Sequence, residues 1–153
     1  MKPSERLAQL GISLPDVAAP VGSYVPANLC GNVVYTSGQL PIREGELVCS
    51  GKAPGNVSVE AAAQGASVAM LNAVAAAAQV CGGVDRIRRV VRVCVFVNSS
   101  PGFTEQPKVA NGGSDLLFEI FGEAGRHARS AVGVAGLPLN ATVEVELTVQ
   151  TGD

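Results

Sequence analysis

Between Ser58 and Val80 the chain is dominated by alanine, and no other segment limits the possible folds as tightly. Alanine has the highest helix propensity of any residue, so this run predicts a long helix. Ser58 suits the N-cap, Glu60 favours the positive helix end, and Gly82-Gly83 offers the left-handed conformation that stops a helix. Small side chains on most faces let such a helix lie close against a sheet. Its length approaches that of a membrane span, but Glu60, Gln64, Asn72 and Gln79 interrupt the apolar surface. It therefore reads as a buried helix of a soluble protein, and no membrane association is expected.

The rest of the composition must supply that sheet and its core. Of the 153 residues 47% are apolar and 16% charged, with no Trp, so the core must come from Val, Leu and Ala. The chain fits a single domain spanning 1–153 and is long enough to bury roughly two-thirds of its unfolded surface. Some of the apolar surplus suits a subunit interface. A net charge of −2 sets up no positive field for a phosphate backbone, which argues against a nucleic-acid partner. Arg86, Arg88, Arg89 and Arg92 are split by strand alternation and have no aromatic stacking platform beside them. Cys30, Cys49, Cys81 and Cys94 are scattered and His127 is the sole histidine, so no metal site is expected. Free thiols and the lack of a recognisable signal peptide suggest a reducing, cytoplasmic setting.

A short helix is expected over Ser4–Leu10 with Ser4 as its cap, followed by an extended stretch held by Pro15 and Pro20. Asn32 to Gly38 reads as a strand, and Arg43–Glu46 as a hairpin-like turn into another. Ile87 to Val97 is a long strand on which Val91, Val93, Val95 and Val97 share one face. A second helix is expected from about Val109 to Phe121, weakened by Gly112-Gly113. Strands near Ala128–Ala135 and Thr142–Gln150, joined by a turn at Leu137–Asn140, read as a closing hairpin. This order predicts an α+β fold with helices on one sheet face.

That last pair carries the most chemistry. Alternation puts Arg129 on one face with Ala131, Gly133 and Ala135, a guanidinium followed by small residues that leave room beside it. Such an arginine can grip a carboxylate through two parallel hydrogen bonds. Spacing alone favours a structural ion pair with Glu123, Glu144 or Glu146. His127, two residues before Arg129, lines the same region or serves a structural role.

Three collinear stretches resemble the Rid/YjgF family, also called the endoribonuclease L-PSP family. Gly22-Ser23-Tyr24-Val25 and Val34–Pro41 resemble its "G-x-Y … SGQ(I/L)P" pattern. Val91–Val97 resembles its central strand. Ala128–Pro138 followed by Val143-Glu144-Val145-Glu146 resembles its closing signature "ARSxVxVxxLPxxxxVEIE". The likeness runs from about Ser23 to Gln150, and residues 1–20 form an N-terminal extension beyond the family's short form.

The resemblance implies a fold like the bacterial trimeric chorismate mutase: a mixed β-sheet with two helices packed on one face, assembled as a homotrimer with clefts between subunits. It implies hydrolysis of 2-imino or enamine acids to 2-keto acids and ammonia, with no cofactor. Arg129 matches the arginine that grips the substrate carboxylate of this small metabolite. Glu144 matches the carboxylate beside the reactive water, and Tyr24 and Ser37-Gly38 match positions at the pocket mouth. Asn111 and Ser114 compete for the helical asparagine position. Ala131 stands where the family often carries a cysteine. The alternatives are a non-catalytic trimer that binds small carboxylates, and a ribonuclease, which one histidine and a net negative charge serve poorly.

Overall fold

A computed structural model describes residues 1–152. In chain order its elements are α1 (Pro3–Leu10), β1 (Ala27–Cys30), β2 (Val33–Thr36), β3 (Ile42–Arg43), β4 (Glu46–Leu47), α2 (Val59–Cys81), β5 (Ile87–Asn98), α3 (Gln106–Phe121), β6 (Ala128–Val134) and β7 (Val143–Thr151). Five strands form one sheet in the order β1-β2-β7-β5-β6, and β3 and β4 form a separate small hairpin. Glu44 and Gly45 both take positive φ at the tip of that hairpin, as a tight two-residue connection requires.

The sheet is mixed: β5 and β6 run parallel, while the other neighbours are antiparallel. This corrects the expected closing hairpin. β6 and β7 do not pair, because β5 lies between them and bonds both. Parallel neighbours need a crossover, and α3 supplies it by carrying the chain from the end of β5 back to the start of β6.

The buried face of the sheet is built from Val34, Val90, Val93, Val95, Val97, Val143, Val145, Leu147 and Val149. Val91 does not belong to it. A bulge between Val90 and Arg92 shifts the alternation, so Val90 is fully buried and Val91 is 40% exposed. Against this face lies α2, capped by Ser58 accepting from the Ala61 amide at 3.1 Å and stopped by Gly82 at φ 85°. Twelve of its 23 residues are buried, which marks it as an interior helix although its length and hydropathy would suit a membrane.

α3 begins three residues earlier than expected, with Pro107 in its first turn, where a missing N–H costs nothing. Gly112-Gly113 does not weaken it into a break. A Cβ on Gly112 would collide with the Ala63 carbonyl, so the glycine is what lets α2 and α3 touch backbone to backbone. Met70 and Leu117 are fully buried around that contact; each such side chain contributes about 1.5–3 kcal/mol. α1 adds a third helix, packed on α3. Ser4 is not its N-cap; Lys2 is, and Ser4 instead donates from its amide (2.8 Å) and hydroxyl (2.7 Å) to Asp85. Those bonds hold the Asp85 carboxyl below its ordinary range.

Candidate functional site

Arg129 enters β6 opposite Val93, and residues paired across a parallel ladder point to the same side, so its side chain leaves on the helix-covered face. There it meets α3. Its Nη1 donates to Asn111 Oδ1 at 2.9 Å and to Ser114 Oγ at 3.0 Å, and Nη2 makes a long contact of 3.5 Å to the Pro107 carbonyl. The two competing helical positions thus both hold the arginine, one helical turn apart on one face of α3. Every partner is neutral. Glu123 pairs with Arg126, and no carboxylate lies at ion-pair distance from Arg129 among the described residues. The structural ion pair that spacing allowed is not formed, and Nε and part of Nη2 remain available for a ligand.

The space beside the guanidinium lies elsewhere than the alternation suggested. Ala131 packs against the core, and Gln106 and Ser99 fill the volume that the missing side chain of Gly133 leaves. The opening runs instead along the outer side of α3, as an open groove of about 570 Å³ lined by Ser114, Asp115, Phe118, Glu119, Gly125, Arg126, His127 and Arg129. Arg126 stacks over the Phe118 ring with 4.9 Å to the centroid, which builds one wall.

His127 is part of this groove, a role that the sequence left open. Its Nε2 is 2.9 Å from Ser114 Oγ and its Nδ1 is 2.6 Å from the Gly125 carbonyl. Period-two alternation was the available signal, since residues 127 and 129 share one side of the strand and its approach.

The other predicted residues gather at a second place. Ser37 Oγ donates to the Val25 carbonyl at 2.6 Å, tying the Tyr24 segment to the end of β2. Gln39 and Val145 exchange backbone hydrogen bonds of 2.8 and 2.9 Å, which seats Gly38 beside Glu144. A Cβ on Gly38 would stand 2.8 Å from the Glu144 carboxyl carbon, so only glycine leaves that carboxylate its place. Glu144 is half-buried, and burial first, then the charge of Glu146, pushes its carboxyl above the ordinary value. Tyr24 stands 51% exposed nearby in sequence.

These two groups do not meet within one chain. Glu144 pairs with Phe96 and faces the open side of the sheet, while Arg129 faces the helices. They are separated by about three residues along the strands, roughly 10 Å, and by two strand spacings, roughly another 10 Å. Among the described residues no cluster of metal-ligating side chains occurs.

Fold and groove together define a small α+β protein with a mixed sheet covered on one face and an arginine held ready at its edge. Residues 4–150 match the family described as "YjgF/chorismate mutase-like, putative endoribonuclease", and the chain belongs to that family. Protein TCP17 of Trypanosoma cruzi is 46% identical over 145 residues, covering 94% of this chain and 91% of its own. The 2-iminobutanoate/2-iminopropanoate deaminase of Dermatophagoides farinae is 34% identical over 140 residues, covering 90% and 93%. Among solved structures, Atu1372 of Agrobacterium tumefaciens superimposes with a TM-score of 0.89 at 41% identity, over 98% of this chain and 92% of that one. The chorismate-mutase-like α+β fold expected from the closing signature is the fold found.

Proposed function

We propose that this protein hydrolyses 2-imino acids, or their enamine tautomers, to 2-keto acids and ammonia. The observation that carries the reading is Arg129, held by the neutral side chains of Asn111 and Ser114, unpaired by any acid among the described residues, and open to a groove. A planar carboxylate on its free edge would gain charge-assisted hydrogen bonds of about 1.5–3 kcal/mol each when shielded from water. The 34% identity to a named iminobutanoate/iminopropanoate deaminase supports the same reading.

The chemistry asks little of the protein. Water adds to the imine carbon, a C–O bond forms, the nitrogen takes a proton, and collapse of the adduct breaks the C–N bond to release ammonia and the keto acid. An imine is already electrophilic, so fixing its carboxylate and placing one water supply most of the effect. Glu144, with its raised carboxyl pKa, suits the proton-accepting role. Because Arg129 and Glu144 lie on opposite faces of one sheet, the complete site is read as a cleft between copies of a homotrimer. In it the β6 edge of one copy meets the open sheet face of the next, with Tyr24, Ser37 and Gly38 beside the water.

The test generates imino acids in solution and follows keto-acid formation. Acceleration that disappears in Arg129→Ala is the expected result, and no acceleration for any side-chain size contradicts the reading. One observation favours a second reading, a carboxylate-binding trimer without turnover: among the described residues no carboxylate lies at ion-pair distance from Arg129, and Glu144 lies on the other face of the sheet. In that case 2-keto acids raise the melting temperature while no imine is consumed.

A further inference from the structure

The hydrogen bonds around Arg129 have a direction, and it can reverse. The Gly125 carbonyl can only accept, so at 2.6 Å the proton of a neutral His127 must sit on Nδ1. Nε2 then carries the lone pair, and Ser114, 2.9 Å away, donates its hydroxyl proton to it. Ser114 Oγ in turn accepts from Arg129 Nη1 at 3.0 Å. In this state the Ser114 hydroxyl is spent, although its side chain lines the groove. A second proton on His127 changes the pattern. Nε2–H now donates to Ser114 Oγ, which accepts from both His127 and Arg129, and the hydroxyl proton must turn to a new acceptor.

Taking Arg129 as the carboxylate anchor proposed above, we infer that Ser114 and His127 make this anchor proton-coupled: the bound carboxylate receives a hydrogen bond from Ser114 when His127 carries its second proton. The carboxylate then bridges Ser114 Oγ and the remaining N–H of the neighbouring Arg129 Nη2, with the imidazolium charge behind them. The charged groups around His127 are Asp115 and Glu119 on α3, and Arg126 and Arg129 on its own segment. Arg6 of α1 reaches the Glu119 carbonyl at 2.9 Å, at the far end of the same groove wall, and Glu123 is held by Arg126. None of these is hydrogen-bonded to the imidazole; Ser114 and the Gly125 carbonyl are its partners. The link between proton and ligand therefore runs through Ser114, making His127 a positioning residue.

The linkage is reciprocal, so one coupling appears in two measurements. Titration calorimetry with pyruvate, whose carboxylate stays ionised throughout, is expected to give binding about tenfold tighter near pH 5.5 than near pH 8, the low end for one hydrogen bond to a charged group. Pyruvate binding is also expected to draw protons from the buffer, read as a dependence of the calorimetric heat on the buffer's ionisation enthalpy. Ser114→Ala removes the relay without removing a titratable group, and its pyruvate affinity is expected to lose the pH dependence. The inference is overturned if pyruvate binds in an Arg129-dependent way but with the same affinity at both pH values, or if Ser114→Ala keeps the full dependence. An absence of pyruvate binding at every pH is a different result: it removes the carboxylate anchor itself, and this inference with it.

Discussion

Glu144 and Arg129 show how the same sheet prepares two opposite charges for different tasks. Arg129 keeps its charge partly solvated at an edge strand, whereas Glu144 is half-buried beside Gly38 with Glu146 two residues along the same face. The Glu144 carboxyl therefore titrates above its unfolded value. In the pH window between those two values the native state binds more protons, so this group's contribution to stability falls as pH rises through the window. Above it the ionised carboxylate costs a constant amount. Glu144→Gln is accordingly expected to raise stability at neutral pH by up to about 1 kcal/mol, discounted for its solvent contact, and to lower imine turnover by about 100-fold or more. Thermal unfolding near pH 7, beside a turnover assay, checks both signs. Arg129 stood out through the closing signature around it, since its spacing among small residues alone favoured an ion pair that the structure does not form. The choice between Asn111 and Ser114 was not, since it depends on the rotation of a helix; the structure uses both.

α2 could be read directly from its alanines, its serine cap and its terminal glycines, because all of these act locally. Other elements depended on partners far away in sequence. β1 was missed because only four residues, Ala27–Cys30, pair between Pro26 and Gly31, too few for a period to declare itself. On β5 the valine alternation misled by one position, since a bulge leaves no mark in the composition of the strand. The supposed β6–β7 hairpin failed for a similar reason: insertion of β5 between them is a long-range choice that no local turn signal records. The contact of α2 with α3 hangs on Gly112, and Gly112→Ala forces the two helix backbones apart. That substitution is expected to cost about 1–3 kcal/mol and to lower the melting temperature by several degrees, measured by thermal unfolding. A protein unchanged in stability would mean that the helices do not touch at this point.

One face of the five-stranded sheet carries the helices; the other carries Tyr35, Cys94, Phe96, Val132, Glu144 and Glu146. Tyr35 is 52% and Val132 46% exposed in the single chain, an apolar surface that association would cover. The apolar surplus visible in the composition pointed to such a face without locating it. In the proposed reaction a Glu144 reaches an Arg129 only through association of copies, so the proposed assembly and the proposed catalysis stand or fall together. Light scattering is expected to return three times the 15.5 kDa chain mass, and a monomer mass would dissolve the cleft. The decisive experiment is a crystal soaked with a 2-keto acid. The account predicts a carboxylate clasped by the free edge of Arg129, with Glu144 of another copy across the cleft from the keto carbon. A ligand bound away from Arg129, or that guanidinium closed off by an acid from a neighbouring copy, would contradict it.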